Sequence, residues 1–115
     1  MSIQNISSQT LLERLKKDQS VSILDVRSEE KVKDYKITHQ NITNIEVEKT
    51  HFLNDEQIKP DVLSSLPKNS EVIVVCSTGN SAKKVAEKLS SQGYQASVLE
   101  GGITSWRDCI SGLEN

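Results

Sequence analysis

Short apolar runs alternate with amphipathic stretches along this chain, and that alternation constrains the fold more than any other feature. Glu71-Val72-Ile73-Val74-Val75 is the most apolar run and predicts a central strand. Val21-Ser22-Ile23-Leu24-Asp25-Val26 is a second, largely β-branched run of the kind a buried strand requires. The segment 42–47 alternates apolar and polar residues, which predicts a strand with one covered face, and Ala96-Ser97-Val98-Leu99 gives another strand. Helical patterns lie between them. Ser7-Ser8-Gln9-Thr10 offers N-cap oxygens ahead of Leu11, Leu12 and Leu15, which share one stripe. The charged residues 28–38 predict a short surface helix or turn. The stretch 54–66 predicts a helix around Ile58, Val62, Leu63 and Leu66, weakened by Pro60. Ala82, Val85, Ala86 and Leu89 share one helical face, with Gly93 as the stop. Gly101-Gly102 then turns the chain into a last helix carrying Ile103, Trp106 and Ile110. Strands alternating with helices imply an α/β fold: a mainly parallel sheet covered on both faces, with its site at the C-terminal ends of strands.

A length of 115 residues suits one domain spanning the whole chain, 1–115. Its four aromatics, Tyr35, Phe52, Tyr94 and Trp106, leave the core to Val, Ile and Leu. Lys plus Arg number 14 against 16 Asp plus Glu, a formal net charge of -2, which argues against a nucleic-acid or anionic-membrane binder. No apolar run approaches membrane-spanning length, and the N-terminus lacks the basic start and apolar stretch of a signal peptide. A cytoplasmic location is therefore the expectation. Two cysteines, Cys76 and Cys109, make no disulfide framework, and neither has a Cys or His nearby at metal-ligand spacing, so no metal site is expected.

Cys76 follows the central strand and precedes a helix, with Ser77, Thr78, Gly79, Asn80 and Ser81 between it and Ala82. Small residues let a backbone curl so that several N–H groups converge on an anion-binding concavity. Such donors, together with the helix dipole, stabilise a thiolate suited to attack on sulfur or phosphorus. The plainer interpretation is a buried cysteine closing a strand as a small hydrophobe. Local pattern alone leaves both open.

Taken in order, the motifs of this chain resemble the rhodanese family of sulfurtransferases. Asp25-Val26-Arg27 resembles the family's Asp-Val-Arg signature, followed by an acidic stretch and Tyr35. His39 stands where a Gly-His pair is usual, with Thr38 in place of the glycine. Cys76-Ser77-Thr78-Gly79 resembles the active-site loop, and Gly93-Tyr94 with the segment 98–106 resembles the ending, where Gly101-Gly102 precede Trp106. The resemblance covers about Ile3 to Trp106. It implies a rhodanese-like domain with a five-stranded, mostly parallel sheet flanked by helices on both faces. It implies ping-pong transfer of sulfane sulfur through a persulfide on Cys76. The donor would be thiosulfate or a low-molecular-weight persulfide, the acceptor a thiol or cyanide. The N–H groups of Ser77, Thr78, Gly79, Asn80 and Ser81 would hold the persulfide, Asp25 and Arg27 would support the site, and no metal or organic cofactor would be needed. The alternative from another class is a low-activity binding or sulfur-carrier module that receives sulfur from a protein partner.

The chain departs from the family at Ser81, where many active members place an arginine. A hydroxyl cannot supply the charge that a guanidinium gives a sulfonate. Lys83 and Lys84 follow on the helix and are expected to be solvated, so a less charged persulfide is the easier donor. A phosphatase of this architecture needs Arg where Ala82 stands, and that possibility is set aside. For the remaining residues, structural roles are expected. Asp25 orients backbone near the loop, Arg27 pairs with Glu29, Glu30 or Asp34, and His39 makes a structural hydrogen bond. Trp106 anchors the core, Cys109 is a buried or idle thiol in preference to one that resolves a persulfide as a disulfide with Cys76, and Glu100-Gly101-Gly102 lines the pocket rim.

Overall fold

The computed structural model describes residues 3–53 and 57–113. Five strands, β1 (Gln4–Ile6), β2 (Val21–Asp25), β3 (Ile42–Glu46), β4 (Glu71–Val75) and β5 (Gln95–Leu99), form one sheet in the order β1-β5-β4-β2-β3. Every pairing is parallel, so the sheet is parallel throughout. Its helices are α1 (Ser8–Lys16), α2 (Glu29–Asp34), α3 (Thr50–Leu53), α4 (Pro60–Ser64), α5 (Asn80–Ser91) and α6 (Gly102–Leu113).

The period of two along β4 sorts the core into two halves. Val72 and Val74 join Leu24, Val26 and Val98 beneath Ala82, Val85, Ala86 and Leu89 of α5, with Phe52, Ile58 and Leu66 closing the same side. Ile73 and Val75 face the other way, with Val21, Ile23 and Leu99, beneath Leu11 and Leu15 of α1 and Ile103 and Trp106 of α6. Val72 through Val75 are all essentially inaccessible to solvent, which is why this run carries no polar residue. Ser7 caps α1 as its position predicts, its hydroxyl accepting from the Thr10 N–H at 3.1 Å.

Four elements differ from expectation. Strand β1 has three residues, two of them exposed, too few to show a period, and it is held by pairing with β5. Pro60 does not weaken a helix from within; it occupies the first position of α4, where its missing N–H costs nothing, and that helix runs only to Ser64. The residues 54–56 of the expected helix lie outside the described residues. Strand β3 is an edge strand with no fully buried residue: Ile42 packs toward one half of the core, Ile45 and Val47 toward the other, so no single face is covered. Helix α5 also begins two residues before Ala82, at Asn80. Among the described residues no helix is long and apolar enough to cross a membrane.

Phe52, on the one-turn helix α3, is fully buried against the α5 side of the sheet. Phe52→Ala is expected to lower unfolding free energy by about 3 kcal/mol, measured by urea denaturation, because the truncation leaves a cavity among fully buried neighbours.

Candidate active site

Cys76 follows the last residue of β4, and a three-residue loop separates it from α5. Gly79 is the N-cap of α5 at φ +102°, a conformation that L side chains rarely adopt, and it has no side chain with which to cap. The cysteine takes over that role. Its Sγ accepts from the Gly79 N–H at 3.0 Å and from the Ala82 N–H, in the first turn of α5, at 3.4 Å. A sulfur that caps a helix sits where backbone dipoles favour negative charge. The expected cradle ran from Ser77 to Ser81. The structure aims the Gly79 amide at the sulfur but extends the cradle to Ala82, because helical geometry turns that N–H back toward Cys76. Ser77, Thr78 and Ser81 line the cavity in front of the sulfur, and Asn80 is exposed at the start of α5.

The loop is pinned from behind. Cys76 and Ser77 carbonyls accept from the Ile103 and Thr104 N–H groups at 2.9 and 3.1 Å, so the first turn of α6 binds the back of the site. Gly102 makes this approach possible. It is buried at φ +62°, and a Cβ there would collide with the Cys76 carbonyl and lie 2.7 Å from the Ser77 carbonyl carbon. Glu100-Gly101-Gly102 therefore supports the loop rather than lining the pocket rim.

Asp25 and Arg27 form a buried ion pair beside the cavity, with side chains 3 % and 6 % exposed. Asp25 Oδ1 accepts from the Arg27 main-chain N–H at 3.1 Å and from Nε at 2.9 Å, and Oδ2 accepts from Nη2 at 2.7 Å. Arg27 also donates to the Tyr35 carbonyl, which ties the end of α2 to the sheet. The expected partners Glu29, Glu30 and Asp34 are all exposed, and the guanidinium turns inward to the carboxylate that β2 buries. Arg27 also lines the cavity.

Two hydrogen bonds carry the sheet one step past its strands. The Val26 N–H donates to the Val75 carbonyl at 3.0 Å, and the Val26 carbonyl accepts from the Lys49 N–H at 3.0 Å. Lys49, just beyond β3, is thereby fixed at the same sheet end as Cys76, and its Nζ lies 3.4 Å from Ser81 Oγ. The cavity, about 230 Å³, is lined by Cys76, Arg27, Lys31 and Lys49 among others. Sequence reasoning sought a cation within the loop and missed Lys31 and Lys49. The placement of sites at C-terminal strand ends, applied to β3 as well as β4, pointed to Lys49.

The other candidates lie elsewhere. His39 precedes β3 at the opposite end of the parallel sheet from Cys76, where its Nδ1 accepts from the Asn41 N–H, the structural bond expected. Lys83 and Lys84 are exposed and do not line the cavity. Trp106 is a core residue, 5 % exposed. Cys109 is half-buried on α6 and is not among the cavity residues.

Comparison with known proteins bears on the family and the fold. The family model of the rhodanese-like domain matches residues 7–109. “Putative sulfurtransferase YtwF” of Bacillus subtilis (strain 168) is 27 % identical over 109 residues, 92 % of each chain. The crystal structure of a rhodanese-like domain protein from Staphylococcus aureus superposes with a TM-score of 0.74 at 29 % identity, covering 90 % of this chain and 91 % of that one. “Adenylyltransferase and sulfurtransferase UBA4” of Candida albicans is 34 % identical over 92 residues, 76 % of this chain but only 20 % of that protein.

The glycine clamp behind the loop yields a direct test. Gly102→Ala is expected to cost at least about 2 kcal/mol in urea denaturation, from the left-handed backbone and the carbonyl collision together. Gly112→Ala, at a helical position with nothing within 4 Å of the added carbon, is expected to be neutral or to stabilise by up to about 1 kcal/mol.

Proposed function

The chain belongs to the rhodanese-like domain family, and on that premise we propose that it is a sulfurtransferase whose Cys76 carries sulfur as a persulfide. The observation that supports this most is the sulfur of Cys76 capping α5, with the Gly79 and Ala82 N–H groups directed at it and a cavity in front. In the first half-reaction the Cys76 thiolate attacks the sulfane sulfur of a donor, thiosulfate or a low-molecular-weight persulfide. A new S–S bond forms to Cys76 and the donor's S–S bond breaks. Its electron pair departs with the leaving group, sulfite or a thiolate, and the enzyme is left as an anionic persulfide. In the second, a thiolate or cyanide attacks the terminal sulfur and the Cys76 thiolate leaves.

After loading, the terminal persulfide sulfur carries the negative charge, and after discharge Cys76 Sγ carries it; fixed N–H donors stabilise that charge without reorganising. Ser77, Thr78 and Ser81 shape the cavity that admits the donor, and the buried Asp25–Arg27 pair keeps its wall in place. Both halves are displacements at sulfur, so neither calls for a metal or organic cofactor. The cytoplasm suits the chemistry, because a reducing compartment keeps the thiol free. Names among the relatives agree with the reaction class: YtwF and UBA4 both carry sulfurtransferase in theirs.

A second reading, a carrier module that receives sulfur from a protein partner, is favoured by one observation: the chain matches a fifth of UBA4, a protein whose name joins two activities. Mass spectrometry separates the two. Incubation with thiosulfate, and separately with glutathione persulfide, is expected to add one sulfur atom that is absent in Cys76→Ser and is discharged by cyanide as thiocyanate. A sulfur atom that loads but discharges too slowly for turnover supports the carrier. No added sulfur from either donor overturns the enzyme.

A further inference from the structure

The cavity in front of Cys76 holds a cation that the loop itself lacks. Three basic residues line it, and their surroundings differ. Arg27 is neutralised by the buried Asp25 carboxylate and spends further donors on the Tyr35 and Lys31 carbonyls. Lys31 is exposed on α2. Lys49 alone among them is given a hydrogen bond to the loop, its Nζ 3.4 Å from Ser81 Oγ. Its main chain is fixed by the Val26 carbonyl, one rung beyond β3. Strand β3 lies two strand spacings, about 10 Å, from β4. A lysine stem directed back across that gap brings an ammonium to the cavity mouth while its Cα stays clear of the sulfur.

We infer that Lys49 receives the anionic leaving group of the sulfur donor and sets a preference for doubly charged donors. The inference rests on the sulfur-transfer reading above. In the loading step with thiosulfate, the Cys76 thiolate bonds to the sulfane sulfur and sulfite departs with the electron pair of the broken S–S bond. Two negative charges on the donor thus become two on sulfite, held away from the persulfide that forms. With the deep end of the cavity occupied by the sulfur and its N–H donors, the departing oxyanion lies toward the mouth, beside the Lys49 ammonium. Ser81 then acts as the partner that holds Lys49 against the loop, rather than as a neutral replacement for a cation. Such a charge–charge contact is stronger than a neutral hydrogen bond, although Lys49 is solvent-exposed and its effect is screened accordingly.

The test compares thiosulfate, a dianion, with methanethiosulfonate, a monoanion of similar size that leaves as methanesulfinate. Lys49→Ala is expected to lower kcat/KM for thiosulfate about tenfold and for methanethiosulfonate by no more than about threefold. Lys49→Arg is expected to keep the selectivity, and Lys84→Ala, at an exposed residue that does not line the cavity, to change neither donor. A second arm needs no turnover: thiosulfate binding to Cys76→Ser, by calorimetry, is expected to weaken when Lys49→Ala is added. Equal losses for both donors, or none for either, overturn the assignment of Lys49 while sulfur transfer stands. If the unsubstituted protein transfers sulfur from neither donor, the transfer reading fails, and the binding arm decides whether Lys49 holds an anion.

Discussion

The site depends on one backbone arrangement: the carbonyls of Cys76 and Ser77 bonded to the first N–H groups of α6. A chain leaving a buried strand is free to turn either way. Here its first two carbonyls are held from behind, so the N–H groups that follow turn toward Cys76 Sγ. That approach is open only because Gly102 has no Cβ and accepts a positive φ. The same contact joins distant parts of the chain, since α6 follows β5 and packs Trp106 into the core beneath β4. Core packing and loop geometry are thus one structure.

The parallel sheet supplies the remainder. Because every strand runs the same way, residues just past β2, β3 and β4 collect at one end. Val26 bridges its two neighbours there, bonded to the Val75 carbonyl on one side and to the Lys49 N–H on the other. Arg27 follows it and is turned inward by Asp25. A buried ion pair of this kind adds little net stability compared with apolar residues, but separating it leaves a charge without compensation. Its worth here is positional. It fixes the wall of the cavity and ties α2, through the Tyr35 carbonyl, to the sheet.

Much of this was legible in the sequence. The runs in β2, β4 and β5 declared themselves because both faces are buried, and Leu11, Leu15, Val85 and Leu89 showed their helices through spacing. The place of Cys76 between a buried strand and a helix was legible, but local pattern alone left open whether it is a nucleophile or a small buried hydrophobe. What escaped had physical reasons. Strand β1 is too short to have a period and exists by pairing with β5. The helix expected over 54–66 was misjudged because Pro60 starts a helix as readily as it breaks one. Pairing of Arg27 with Glu29, Glu30 or Asp34 rests on its expected role in holding the fold; the structure keeps that role but gives it to the buried carboxylate of Asp25, because those three are exposed. Lys49 was missed because a lysine in a charged stretch carries no local signal; only the ladder through Val26 brings it to the cavity.

The central claim is that a cradle of main-chain N–H groups, from Gly79 to the first turn of α5, holds the transferred sulfur on Cys76. A crystal structure of the protein after reaction with thiosulfate tests it most directly. The account predicts a second sulfur bonded to Cys76 Sγ, in the cavity and within hydrogen-bonding distance of at least two main-chain nitrogens of the segment 77–82. A second sulfur turned away from those nitrogens, or bound to Cys109 instead, would contradict it.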